Sequence, residues 1–122
     1  MRLLDRIHID QNGWQAIGYN WVLFASGRLY VGRGPTGYPA AQSGHNAGTL
    51  SIACVGDYRF QRLTRRQRLR LRLAIRSIKR THRSCRAIGG HRDAPGQSTS
   101  CPGGHIEAWI NQVARKVRMR RL

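Results

Sequence analysis

The stretch "TRRQRLRLRLAIRSIKRTHR", residues 64–83, admits two readings, and the choice between them sets the fold class. Its centre, "RLRLRL", alternates cation and leucine as a half-buried strand would. Over the whole length, however, Arg65, Arg68, Arg72, Arg76, Lys79 and Arg83 recur every three or four residues and share one side. Leu71, Ala74, Ile75 and Ile78 share another. That spacing, over a length beyond an ordinary strand, predicts an amphipathic helix with Thr64 as its N-cap.

The neighbouring segments fall into place around this helix. On its C-terminal side, "CRAIGG" (85–90) reads as a short strand that delivers His91. A second long helix starts at about Gly104 and buries Ile106, Trp109, Ile110, Val113 and Val117. The tail "RKVRMRRL" (115–122) then puts cations at that helix's C-terminus, where its dipole favours them. On the N-terminal side, "TLSIACVGDY" (49–58) reads as a buried central strand. "IGYNWVLFASGRLYVGR" (17–33) reads as a hairpin turning at Ser26-Gly27. Residues 34–48 form a long loop rich in glycine and proline, and the first eleven residues a short helix. The expectation is an α/β fold, a single mixed β-sheet flanked by helices, in one domain over residues 1–122 with a basic tail from about 115.

Charge is the extreme feature of the composition. Twenty arginines and two lysines face five acidic residues, a formal charge of +17. Such a field attracts polyanions of any kind, including nucleic acid, anionic lipid headgroups and acidic wall polymers. Aromatic residues are not interleaved with the arginines, so no specific nucleic-acid partner is expected. No run of about 18 apolar residues exists to span a membrane, and the charged N-terminus does not read as a secretory signal. Cys54, Cys85 and Cys101 are too few, and odd in number, for a disulfide framework. Cys54, in the apolar run "LSIACVG", reads as a buried inert thiol.

The segment "IGGHRDAPGQSTSCPGG" (88–104) sets His91 and Cys101 ten residues apart across a Gly/Pro/Ser loop. Imidazole and thiolate are both zinc ligands, and a loop of that length can double back to bring them to one ion. The spacing alone serves equally for a satisfied loop histidine beside an ordinary cysteine. Asp93 carries two readings as well: it orients a ligand, or it caps the loop by accepting from nearby backbone N–H groups.

Three segments together, "GWQAIGYNWVLFASGRLYVGRG" (13–34), "GHNAGTLSIACVGDY" (44–58) and "GGHRDAPGQSTSCPGG" (89–104), resemble the zinc-dependent N-acetylmuramoyl-L-alanine amidases. That group includes phage lysozymes and the peptidoglycan recognition proteins. The resemblance implies hydrolysis of the amide between the lactyl group of N-acetylmuramic acid and L-alanine of the stem peptide. It makes His91 and Cys101 ligands of Zn2+. It makes Tyr19 and Thr99 the catalytic donors that support the developing oxyanion, and His8 and Asn46 residues of the substrate groove.

The chain departs from the family pattern in three places. The third zinc ligand of the pattern is a histidine on a strand ahead of the first helix, and this chain begins at that helix. Ala16 and Ala41 stand where the pattern has aspartate and histidine. The expected form is thus an amidase/peptidoglycan-recognition-like fold that is N-terminally truncated, with weakened zinc binding.

The functional expectation is a monomeric peptidoglycan amidase acting at the bacterial cell wall, such as a lysin or autolysin. Its partner would be the muropeptide stem, with anionic wall polymers or outer-membrane lipid as further partners of its charge. The competing readings are a peptidoglycan-binding module or decayed fragment without catalysis, and a cationic protein of envelopes or nucleic acid.

Overall fold

The computed structural model describes residues 19–32, 49–94 and 98–122. Strands β1 (Trp21–Leu23) and β2 (Leu29–Val31) pair antiparallel around a turn at Ser26-Gly27, as the sequence predicts. β3 (Ile52–Cys54) pairs parallel to β1, giving a mixed sheet of order β2-β1-β3. The central position among these strands belongs to β1 and not to the 49–58 segment. Val22 and Leu23 of β1 are fully buried, whereas all three residues of β3 are only partly covered.

Asn20 secures the β1–β3 pairing. Its side chain is completely buried, and its Oδ1 accepts from the Ser51 N–H at 2.8 Å. Its backbone carbonyl accepts from Gly32. The buried amide thus satisfies the Ser51 N–H ahead of β3, which an apolar residue at position 20 would leave orphaned.

The arbitrated stretch is a helix: α1 runs Arg65–Thr81. Thr64 caps it with a reciprocal box. Thr64 Oγ1 accepts from the Gln67 N–H, and Gln67 Oε1 accepts from the Thr64 N–H. The box extends inward, because Gln67 Nε2 donates to the Tyr58 hydroxyl at 2.6 Å and that hydroxyl donates to the Val55 carbonyl. Cap, helix and the loop after β3 thus form one hydrogen-bonded network with the buried Gln67 and Tyr58 at its centre. Leu71 and Ile75 carry the buried side of α1, as expected.

The chain continues through β4 (Ala87–Ile88), a short 3-10 turn over His91–Asp93, and helix α2 (Gly104–Lys116). Leu23, Tyr58, Leu63, Leu71, Ile106 and Ile110 form the main core between sheet and helices. Ile75, Val113 and Val117 form a second cluster at the far end of the helix pair. Burying side chains of this size stabilises by roughly 1.5–3 kcal/mol each, which holds α1 against α2.

The basic tail differs from expectation. Helix α2 ends in a Schellman arrangement: Met119 N–H donates to Ala114 O and Arg118 N–H to Arg115 O. Arg118 takes the left-handed position with φ 55°, where glycine is the usual residue. The reversal sends Arg120–Arg121 back as β5, parallel to β4 in a separate two-stranded ladder. The described strands therefore divide between two sheets, and the tail is structural. Lys79 of α1, grouped by periodicity with surface arginines, donates from Nζ to the Val117 and Arg118 carbonyls at 2.8 Å each. It caps the end of α2 instead of facing solvent freely.

Candidate functional site

The site is made where two turns meet. After β4, Gly89 and Gly90 lead into the turn that begins at His91. Asp93 folds this turn back on itself, its Oδ2 accepting from the Gly90 N–H at 2.7 Å. The second turn runs through Thr99, Ser100 and Cys101 into α2. Its shape comes from the Cys101 N–H donating to Thr99 Oγ1 at 3.1 Å and the Gly103 N–H to Ser100 O at 2.8 Å. One backbone bond clasps the two turns: the Arg92 N–H donates to the Cys101 carbonyl at 3.1 Å. His91 and Cys101 are thereby brought to adjoining positions, although the loop between them is long.

Two glycines permit this close packing. A Cβ on Gly90 would collide with the Pro102 ring and Glu107 Oε1. Gly103 has φ +92° and lies directly on the Tyr58 backbone, leaving no space for a side chain. The Tyr58 carbonyl in turn accepts from the His105 N–H, which fastens the start of α2 to the loop after β3.

Behind the clasped turns lies a charge cluster that sequence reasoning missed. The Arg121 guanidinium of β5 donates to Asp93 Oδ2 at 2.7 Å, to Asn111 Oδ1 at 2.7 Å and to Glu107 Oε2. Arg92 Nε stands 3.5 Å from Glu107 Oε1. Asp93 therefore satisfies its loop-capping reading and is an ion-pair partner besides. A signal for the cluster was present in the scarcity of acids. With so few carboxylates in so basic a chain, two of them flanking the motif had cationic partners within reach.

Electrostatics in the cluster follow from burial and neighbours. Burial tends to raise Asp93, but the hydrogen bonds from Arg121 and the Gly90 N–H outweigh it and hold the carboxyl below its ordinary value. Burial and the charge of Asp93 push Glu107 up, against Arg121 and Arg92. Burial and then the Glu107 charge raise the Cys101 thiol, with Arg92 opposing. Burial also raises Tyr19, and a second contribution comes from the charge of Cys101, so phenol and thiol share one electrostatic neighbourhood. Cys54 is pushed up to about 12, by burial first and Cys101 second, which suits an inert thiol.

Of the residues singled out from sequence, Tyr19, His91, Thr99 and Cys101 lie in the described part, and Cys101 is within electrostatic reach of Tyr19. His8 and Asn46 lie outside the described residues. Residues 3–104 match the family model of N-acetylmuramoyl-L-alanine amidase. The chain belongs to this amidase family.

Individual amidases and their kin agree in extent. A Homo sapiens N-acetylmuramoyl-L-alanine amidase is 34% identical over 84% of this chain and 18% of its own length. Peptidoglycan-recognition protein SC2 of Drosophila melanogaster is 32% identical over 91% of this chain and 62% of its own length. The chain thus spans less than two thirds of these relatives. Among solved structures, the N-acetylmuramoyl-L-alanine amidase LysC from Clostridium intestinale superposes with a TM-score of 0.87 at 25% identity, covering 97% of this chain and 75% of that one.

The amidase family is generally zinc-dependent. In kind, the imidazole of His91 and the thiol of Cys101 suit zinc, which takes nitrogen and sulfur donors. In number they fall short, for among the described residues no group of three or more His, Cys, Asp or Glu side chains could hold a metal ion.

Proposed function

We propose that this chain is a peptidoglycan-directed amidase domain that hydrolyses the bond between N-acetylmuramic acid and the L-alanine of its stem peptide at the bacterial cell wall. The observation that carries the reading is the clasp from Arg92 N–H to Cys101 O, which joins the "GHRD" and "CPGG" turns with their two zinc-type donors. Tyr19 adds a phenol in the electrostatic neighbourhood of Cys101. His91 and Cys101 are the residues that would hold zinc. When bound, that ion supplies Lewis acidity and a water of lowered pKa.

The remaining roles belong to the chain's own side chains. The Tyr19 hydroxyl keeps its proton well above neutrality, so it serves as a hydrogen-bond donor for an oxyanion. Thr99 Oγ1 accepts from the Cys101 N–H and leaves its own O–H available to donate in the same way. His8 and Asn46 line the peptide groove in this reading.

Purified protein supplied with zinc should release stem peptides from cell walls. His91→Ala and Cys101→Ala should each reduce release to background while circular dichroism remains that of the parent. Full activity in either folded variant would overturn the zinc mechanism.

A second reading has its own support. The described residues offer two metal donors where a catalytic zinc takes three. A domain that binds peptidoglycan without cutting it would sediment with cell walls and release nothing, whether or not zinc is supplied. One zinc held tightly per chain would count against this alternative.

A further inference from the structure

Helix α1 presents an unusual outward side. Its 17 residues include eight cations and no acid. Among the described residues, none of its cations takes part in an ion pair. The line of the helix farthest from the core nevertheless carries two leucines. Leu69 and Leu73, one turn apart, are 51% and 48% exposed, with Arg66 and Arg80 continuing the line at either end and Arg76 beside it.

Beside the leucines lies an open notch of about 180 Å3 between α1 and the β1–β2 turn, lined by Ser26, Gly27, Arg66, Leu69, Arg70 and Leu73. Arg70 reaches across to donate to the Gly27 carbonyl, so the rim of the notch is held in place.

A helix already packed through Leu71 and Ile75 gains nothing by exposing a second leucine row to water. The arrangement suits an interface that is anionic at its surface and apolar just beneath. There leucines enter the headgroup boundary, while the arginines extend their charged ends toward phosphates. A soluble polyanion would use the arginines and leave the leucines wet. A nucleic acid would favour aromatic side chains for stacking, and the outward side of α1 has none.

We infer that the outward side of α1 is a docking surface for an anionic lipid bilayer, with Leu69 and Leu73 as its apolar contact and the flanking arginines as its charged rim. This inference concerns a surface made by other residues than the amidase site and stands or falls independently of hydrolysis.

Flotation of the full chain with phosphatidylglycerol-containing vesicles tests it, with pure phosphatidylcholine vesicles and soluble polyphosphate as comparison probes. The parent should bind the anionic vesicles, bind neutral ones at least about tenfold more weakly, and lose affinity as salt rises. Leu69→Ser/Leu73→Ser should weaken vesicle binding by about tenfold or more and leave polyphosphate binding unchanged. Arg76→Gln/Arg80→Gln should weaken both. Both variants change exposed positions, and circular dichroism and thermal melting should match the parent. Vesicle binding unaltered by the leucine substitutions would overturn the inference, as would tighter binding to polyphosphate or DNA than to anionic vesicles.

Discussion

Arg121 in β5 faces Asp93, Glu107 and Asn111, whereas Arg76 on the outward side of α1 takes part in no ion pair among the described residues. Both belong to the same arginine excess, and composition cannot tell them apart. Their difference shows how a very basic chain can serve two ends. Where a carboxylate is placed behind a turn, the guanidinium becomes a brace with fixed geometry. Where none is placed, the charge stays available to a partner outside the protein.

Removing Arg121 is the sharpest way to break this contrast. Arg121→Ala leaves Asp93 and Glu107 as neighbouring, partly buried carboxylates with only Arg92 nearby, and should cost about 2–3 kcal/mol in chemical denaturation. Arg121→Lys should recover only part of that loss, since an ammonium cannot reproduce the forked contact to two carboxylates and an amide. A loss below about 0.5 kcal/mol for the alanine variant would show the cluster to be decorative.

Cys54 gives an intermediate test, through pH. Its thiol is raised from an ordinary 9.0 to about 12 in the folded chain. Folded protein thus keeps a proton that unfolded protein releases, and stability should fall as pH climbs from about 9 toward 12. Cys54→Ala should flatten that part of the stability–pH curve, and in the parent Cys54 should resist alkylation at pH 8 until the chain is unfolded. Rapid labelling of native Cys54 would contradict its raised thiol.

The smallest effect belongs to α1. Arg76→Gln/Arg80→Gln should change folding stability by no more than about 0.5 kcal/mol, because neither cation is engaged in an ion pair. A larger loss would mean that the outward side of α1 contributes to the fold, and the contrast with Arg121 would disappear.

Local signals carried much of the architecture. Thr64 marked a helix start, and the leucine and isoleucine spacing after it marked the side that packs. Ser26-Gly27 between apolar runs marked the hairpin. The motif pair around His91 and Cys101 was legible because glycines and prolines punctuate it. The sequence by itself therefore determined α1, α2, the hairpin and the family, since each rests on side-chain periodicity or turn chemistry within a few residues.

Strand order, the return of Arg120–Arg121 as β5, and the brace on Asp93 and Glu107 were decided only by the tertiary structure. Each depends on groups distant in the chain meeting in space. A tail rich in arginine reads the same whether it waves in solvent or is clamped by two carboxylates, because the carboxylates that distinguish the cases lie 14 and 28 residues away.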